Sequence, residues 1–175
     1  MKWLIISFFT LLSACSSQEQ NEYKLAKKSM NQGHNRIALG YLDRVIKRNQ
    51  TPEIVIDSAR EAARLALYEI KDFQKAIYYY HFLVLHSKEE EERVFAQKQI
   101  ASIYFDNLQD YQKAIAEFSK LQQLPLPDLE KAQYKMSLAR AYFYLNNFDQ
   151  AESEINSLLK LKTDENVEFS ALALK

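Results

Sequence analysis

A register that recurs four times constrains this chain more than any other feature. Ala38, Ala76, Ala114 and Ala151 close four similar segments and stand 38, 38 and 37 residues apart. Four residues after each alanine lies Leu42, Tyr80, Phe118 or Ile155, and three further on lies Val45, Leu83, Leu121 or Leu158. Offsets of four and seven put all three residues on one helix face. Upstream of each segment a second helix carries its own stripe: Leu25 and Ala26; Ala63, Arg64 and Leu67; Lys98, Ala101, Ser102 and Phe105; Lys135, Leu138, Ala139 and Tyr142. A small residue beside a large one suits a close helix crossing. A unit of this length buries its apolar face only by stacking on its neighbours, so the expected fold is an all-α solenoid of about four helix–turn–helix repeats.

Composition agrees. Two glycines and three prolines in 175 residues are too few turn-formers for a many-stranded β protein, and 47% hydrophobic residues exclude wholesale disorder. Local signals fit the repeat boundaries. Thr51-Pro52 reads as an N-cap followed by Pro at the first helical position. Ser87 with Glu90 reads as a capping box, Asp128 as a cap, and Glu89 to Glu92 as acids complementing a helix dipole. Gly33 falls in a turn that favours positive φ, and Gly40 is expected to permit close helix packing. In the run Tyr78-Tyr79-Tyr80 only Tyr80 is on the core register; Tyr78 and Tyr79 either pack on a neighbouring unit or form an exposed patch.

This pattern resembles the tetratricopeptide repeat (TPR), with LARAYFYLNNFDQAESEI in the fourth unit as the nearest match. The departures are a period several residues too long and a displaced proline at the repeat end, both of which longer helices or linkers would produce. The resemblance implies a right-handed superhelix whose first helices line a concave groove for protein partners.

The N-terminus carries an address. Met1-Lys2 precedes ten uncharged residues, Trp3 to Leu12, about half the 20 or so that a spanning helix needs. The stretch therefore reads as a signal segment. Leu12-Ser13-Ala14-Cys15 resembles the lipobox of bacterial lipoproteins. That resemblance implies removal of residues 1–14, diacylglycerol on the Cys15 thiol and an acylated amine, palmitate being a usual chain. Two or more acyl chains anchor a protein stably. Ser16 in place of Asp implies the periplasmic face of the outer membrane of a Gram-negative cell. Residues 15–21 are expected to be the lipidated cysteine and a polar tether, 22–162 the repeat domain, and 163–175 a capping helix or the start of a fifth repeat.

The chemistry that a catalyst needs is missing from the sequence. His81 and His86 are five residues apart, off the i, i+4 spacing of a helical metal pair, and His34 is remote from both in sequence. HExxH, CxxC and GxSxG are all absent, and two glycines cannot build a phosphate-cradling loop. One cysteine excludes an internal disulfide framework or a cysteine-based zinc site. Lys+Arg 23 balance Asp+Glu 23, so no net field draws in nucleic acid. The expectation is a non-enzymatic chain with no cofactor, no metal and no small-molecule substrate, and with protein partners in the cell envelope.

By the resemblance, the positions beside the first-helix stripe face the groove: Lys27 and Met30, Leu65 and Tyr68, Ile103 and Asn107, and Arg140, Phe143 and Tyr144. Tyr and Arg are the types that dominate binding hot spots. Bacterial TPR lipoproteins of this kind include the one in β-barrel assembly, the nearest in build, and others serving pilus secretin assembly or holding and regulating peptidoglycan enzymes. The sequence contains no motif that separates them.

Overall fold

The computed structural model of the chain describes residues 18–160. Cys15, the signal segment and residues 163–175 lie outside that range. Among the described residues eight helices follow one another: α1 (residues 18–31), α2 (Asn35–Arg48), α3 (Pro52–Arg64), α4 (Phe73–His86), α5 (Glu90–Ser102), α6 (Tyr111–Gln122), α7 (Asp128–Tyr144) and α8 (Phe148–Leu158). α3 and α5 run on directly into π-helical stretches, Leu65–Ile70 and Ile103–Asn107. Among the described residues there is no strand, and no helix is long and apolar enough to cross a membrane. The chain divides into two compact units between Arg93 and Val94, within α5.

The core of each unit is the repeat register made solid. In the first unit Ala38, Leu42, Val45, Ala76, Tyr80 and Leu83 are buried, as are Ala59, Ala62 and Ala63 of α3, the helix in contact with both α2 and α4. In the second, Ala114, Phe118 and Leu121 of α6 pack with Ala101, Tyr134 and Leu138. Ile155 and Leu158 of α8 close on Ala132 and Ala139 of α7. The alanines let α7 and α8 approach closely while the large residues fill the space beside them. Tyr79 is buried as well, its hydroxyl donating to Asp43 Oδ1 at 3.1 Å, whereas Tyr78 stays half exposed on its edge.

The difference between periods of 38 and 37 comes from the first helix of the pair. Buried Ala63 and Ala101 stand 13 residues before the marks Ala76 and Ala114, but Ala26 and Ala139 stand 12 before Ala38 and Ala151. The second and third repeats therefore hold one residue more, and those two repeats carry the π-helical stretches. An i→i+5 turn takes up one extra residue without breaking the helix. The closing hydrogen bonds agree: Asp72 N reaches Ala66 O and Asp110 N reaches Tyr104 O, six residues back, while His34 N reaches Ser29 O and Asn147 N reaches Tyr142 O, five back.

Each hairpin then turns on one left-handed residue: Gly33, Lys71, Gln109 and Asn146, with φ of 73°, 61°, 52° and 59°. The next residue caps the following helix. Asp72 and Asp110 accept from the backbone N–H groups of Lys75 and Lys113 at 3.1 and 3.2 Å. His34 and Asn147 hold the same position without a side-chain cap.

Several expectations need correcting. Residues 18–21 are not tether: they are helical, and Glu19 and Glu22 are buried. Glu19 accepts from Gln50 N and Thr51 N at 3.2 and 2.9 Å, and Glu22 pairs with Arg48 and, at 3.0 Å, with Arg44. Thr51 itself makes no side-chain cap. Ser87 accepts from Glu89 N at 3.2 Å, but its reciprocal partner is Glu92 at 2.6 Å, not Glu90. Asp128 is the first helical residue, and Pro127 holds the cap position. An added Cβ on Gly40 would meet nothing within 4 Å, so no close approach requires that glycine. Arg64 is exposed, pointing away from the core in which Ala62, Ala63 and Leu65 are buried.

Candidate partner-binding surface

In the first unit the expected groove residues separate by burial. Lys27 is engaged: its Nζ lies 2.7 Å from Glu61, and although burial lowers its pKa, that carboxylate raises it on balance. Met30 is half-buried. Leu65 is 6% exposed and belongs to the core, so it offers no side chain to a partner. Tyr68 is half exposed, on the π-helical end of α3. A shallow open depression lies nearby, formed by residues 33–37 with Glu69 and Ile70, and Ile37 stands exposed there.

In the second unit Ile103 is buried like Leu65; each falls one residue past the position that aligns with exposed Arg140. The structure aligns Arg140 with Ser102 and Arg64, because Ala139 aligns with Ala101 and Ala63. Asn107 is exposed at the end of the π-helical stretch.

Arg140, Phe143 and Tyr144 come together with Phe105 of the third-unit stripe and with Tyr111 and Phe148. Tyr144 stacks on Tyr111 with ring centroids 4.6 Å apart and planes 26° from parallel. Phe105 approaches both, at 5.5 Å from Tyr111 and 6.1 Å from Tyr144. Phe143 meets Phe148 edge-on across the α7–α8 turn at 5.6 Å. Arg140 lies 5.7 Å from the Phe105 ring centre, a cation–π contact. Phe143, Tyr144 and Phe148 remain 49%, 48% and 55% exposed, so the rings form a platform open to solvent. Among the described residues Arg140 makes no ion pair, unlike Lys98, held 2.5 Å from Glu130, and Lys135, 3.3 Å from Glu154. Four elements hold the platform rigid: the π stretch after α5, and α6, α7 and α8. Phe148 starts α8, three residues before Ala151, at a position that reads as core by spacing alone, yet it is exposed.

This arrangement suits binding by contact. Flat rings already locked by their neighbours lose little side-chain entropy when covered, and an unpaired guanidinium can take a carboxylate. Among the described residues no three His, Cys, Asp or Glu side chains gather as metal ligands. His86 lies against Phe82 on α4, with ring centroids 4.3 Å apart and planes tilted by 35°.

No protein-family model matches the chain, and no curated protein matches it in sequence. Among solved structures, a double mutant of MamA RS-1 superposes with a TM-score of 0.55 at 11% identity, covering 89% of this chain and 93% of that one. A thermophilic TPR protein of Thermus thermophilus gives a TM-score of 0.38 at 16% identity, over 89% and 98% of the two chains. Identities this low speak to fold alone. Together with the helix pairs, their buried alanine register and their repeated turns, the likeness makes the chain an all-α, TPR-like helical repeat.

Proposed function

We propose that the chain is a lipid-anchored scaffold that binds protein partners on the periplasmic face of the outer membrane, in the assembly of an envelope complex of the β-barrel-assembly kind. One observation carries the binding half of this reading: the exposed Phe143, Tyr144 and Phe148 rings beside an Arg140 with no acidic partner among the described residues. A partner segment with an aromatic or aliphatic side chain next to a carboxylate complements that surface. The anchor half rests on Leu12-Ser13-Ala14-Cys15. Lipid would confine the scaffold to a surface and raise its effective concentration for membrane partners.

The test is photocrosslinking in the intact cell. A photoreactive residue at Phe143, and as a control at exposed Glu152 on α8, would be activated in wild-type and Cys15→Ser backgrounds. The reading expects a discrete protein adduct from position 143 only, reduced when Cys15 is replaced. Adducts of the same pattern from both positions would refute it. The crosslinked protein, whether a barrel-assembly factor, a secretin subunit or a peptidoglycan enzyme, names the pathway.

A further inference from the structure

The lipid attachment has almost no slack. Gln18 already belongs to α1, and only Ser16 and Ser17 separate it from Cys15. Three residue steps reach about 10 Å at full extension. The part of α1 next to Gln18 is fastened in turn: Glu19 is wholly buried and holds the α2–α3 connection through Gln50 N and Thr51 N. Glu22 binds Arg44 and Arg48 on the last turns of α2. The helix therefore cannot peel away to lengthen the leash without leaving those backbone groups and cations unpartnered.

From these constraints we infer that the first unit sits directly on the membrane that holds the Cys15 lipid, with the α2–α3 connection at the headgroups and the Gly33–His34 turn pointing away. This rests on the lipid-anchor reading above and adds to it an orientation and a contact surface. The surface is the end of the unit carrying Gln18, Gln20, Asn21, Asn49 and Gln50, all exposed and polar. Phospholipid headgroups accept such a surface without apolar insertion. α1 rises about 1.5 Å per residue, so its far end stands about 20 Å above Gln18. Tyr68 lies near the end of the helix that leaves the α2–α3 connection in the same direction as α1, so it is carried to about the same height. The leash fixes the orientation whatever the lipid charge.

The experiment uses the full lipidated chain reconstituted into phosphatidylcholine vesicles that carry a headgroup nitroxide. With Cys15 acylated, a single new cysteine takes a fluorophore, at Gln50→Cys or at His34→Cys. Several-fold stronger quenching at position 50 than at 34 is expected. Inserting a 20-residue Gly/Ser linker after Ser17 should abolish the difference. Equal quenching at both positions in the parent chain, with the acyl mass present on Cys15, would overturn the orientation and leave the anchor standing. A mature chain without acyl mass would overturn the anchor, and this inference with it.

Discussion

The carboxylate of Glu19, buried on α1, accepts a hydrogen bond from the backbone N–H of Thr51 at 2.9 Å and so caps the start of α3 from another helix. Thr51 does not do this with its own hydroxyl. Replacing Glu19 with alanine strands two backbone donors, each loss worth about 1–3 kcal/mol when the group stays buried. Glu19→Ala is therefore expected to lower the urea midpoint of the Cys15→Ser body substantially, while Gln20→Ala on the exposed side leaves it unchanged. Equal midpoints for the two variants would show that the cap carries no stability.

The two glycines should respond in opposite directions. Gly33 has φ of 73° with open space where a Cβ would go, so Gly33→Ala suffers only the left-handed backbone penalty, about 1 kcal/mol. Gly40 lies inside α2 with equally open space, and Gly40→Ala should gain up to about 1 kcal/mol from helix propensity. Equilibrium urea unfolding measures both; a loss at Gly40 would reveal a close approach that the structure does not contain.

Ala139 sits 2% exposed where α7 crosses α8, against Ile155 and Leu158. Ala139→Trp should overpack that crossing and cost about 1–3 kcal/mol or more. Arg64→Trp, at an exposed position beside a crossing alanine in the first unit, should be tolerated. Thermal melts of the pair check the register, and a wild-type melting temperature for Ala139→Trp would contradict it.

Glu92 supplies a pH dependence. Burial raises its pKa, but hydrogen bonds from Arg60 and Ser87 and the Arg60 charge outweigh this and hold it below its ordinary 4.5. A carboxyl group depressed by folding stabilises the fold fully above its unfolded pKa, and that contribution fades as pH falls through the lower folded value. Stability measured downward from pH 6 should therefore decline less in Glu92→Gln than in wild type. Parallel acid limbs would show that the Arg60–Glu92 contact contributes nothing.

The second helix of every repeat could be read straight from the sequence, because Ala38, Ala76, Ala114 and Ala151 and their partners at four and seven form an uninterrupted α-helical stripe. The first helices slipped by one residue in two repeats. A single added residue absorbed as a π turn leaves the apolar periodicity intact on either side but shifts the alignment across it, which is why Leu65 and Ile103 were placed outward and are buried. The start of α1 was hidden for a different reason. Its buried residues are Glu19 and Glu22, whose reward is a distant pair of backbone N–H groups and two arginines. Hydrophobic periodicity does not register partners of that kind. Arg140, Phe143 and Tyr144 are exposed as their spacing predicts, since α7 lacks the insertion, whereas the contacts of Phe148, Phe105 and Tyr111 with them appear only in the folded chain.

The most direct test of the account is the affinity of the partner crosslinked at Phe143 for an Arg140→Ala/Tyr144→Ala variant, measured by titration beside wild type. Hot-spot truncations commonly cost about 2 kcal/mol or more, about thirtyfold in affinity. The account predicts a loss of that order with far-ultraviolet circular dichroism unchanged, because both side chains are exposed and the alanine register beneath them is untouched. Unaltered affinity in a folded variant would contradict it and place the working surface elsewhere on the repeat.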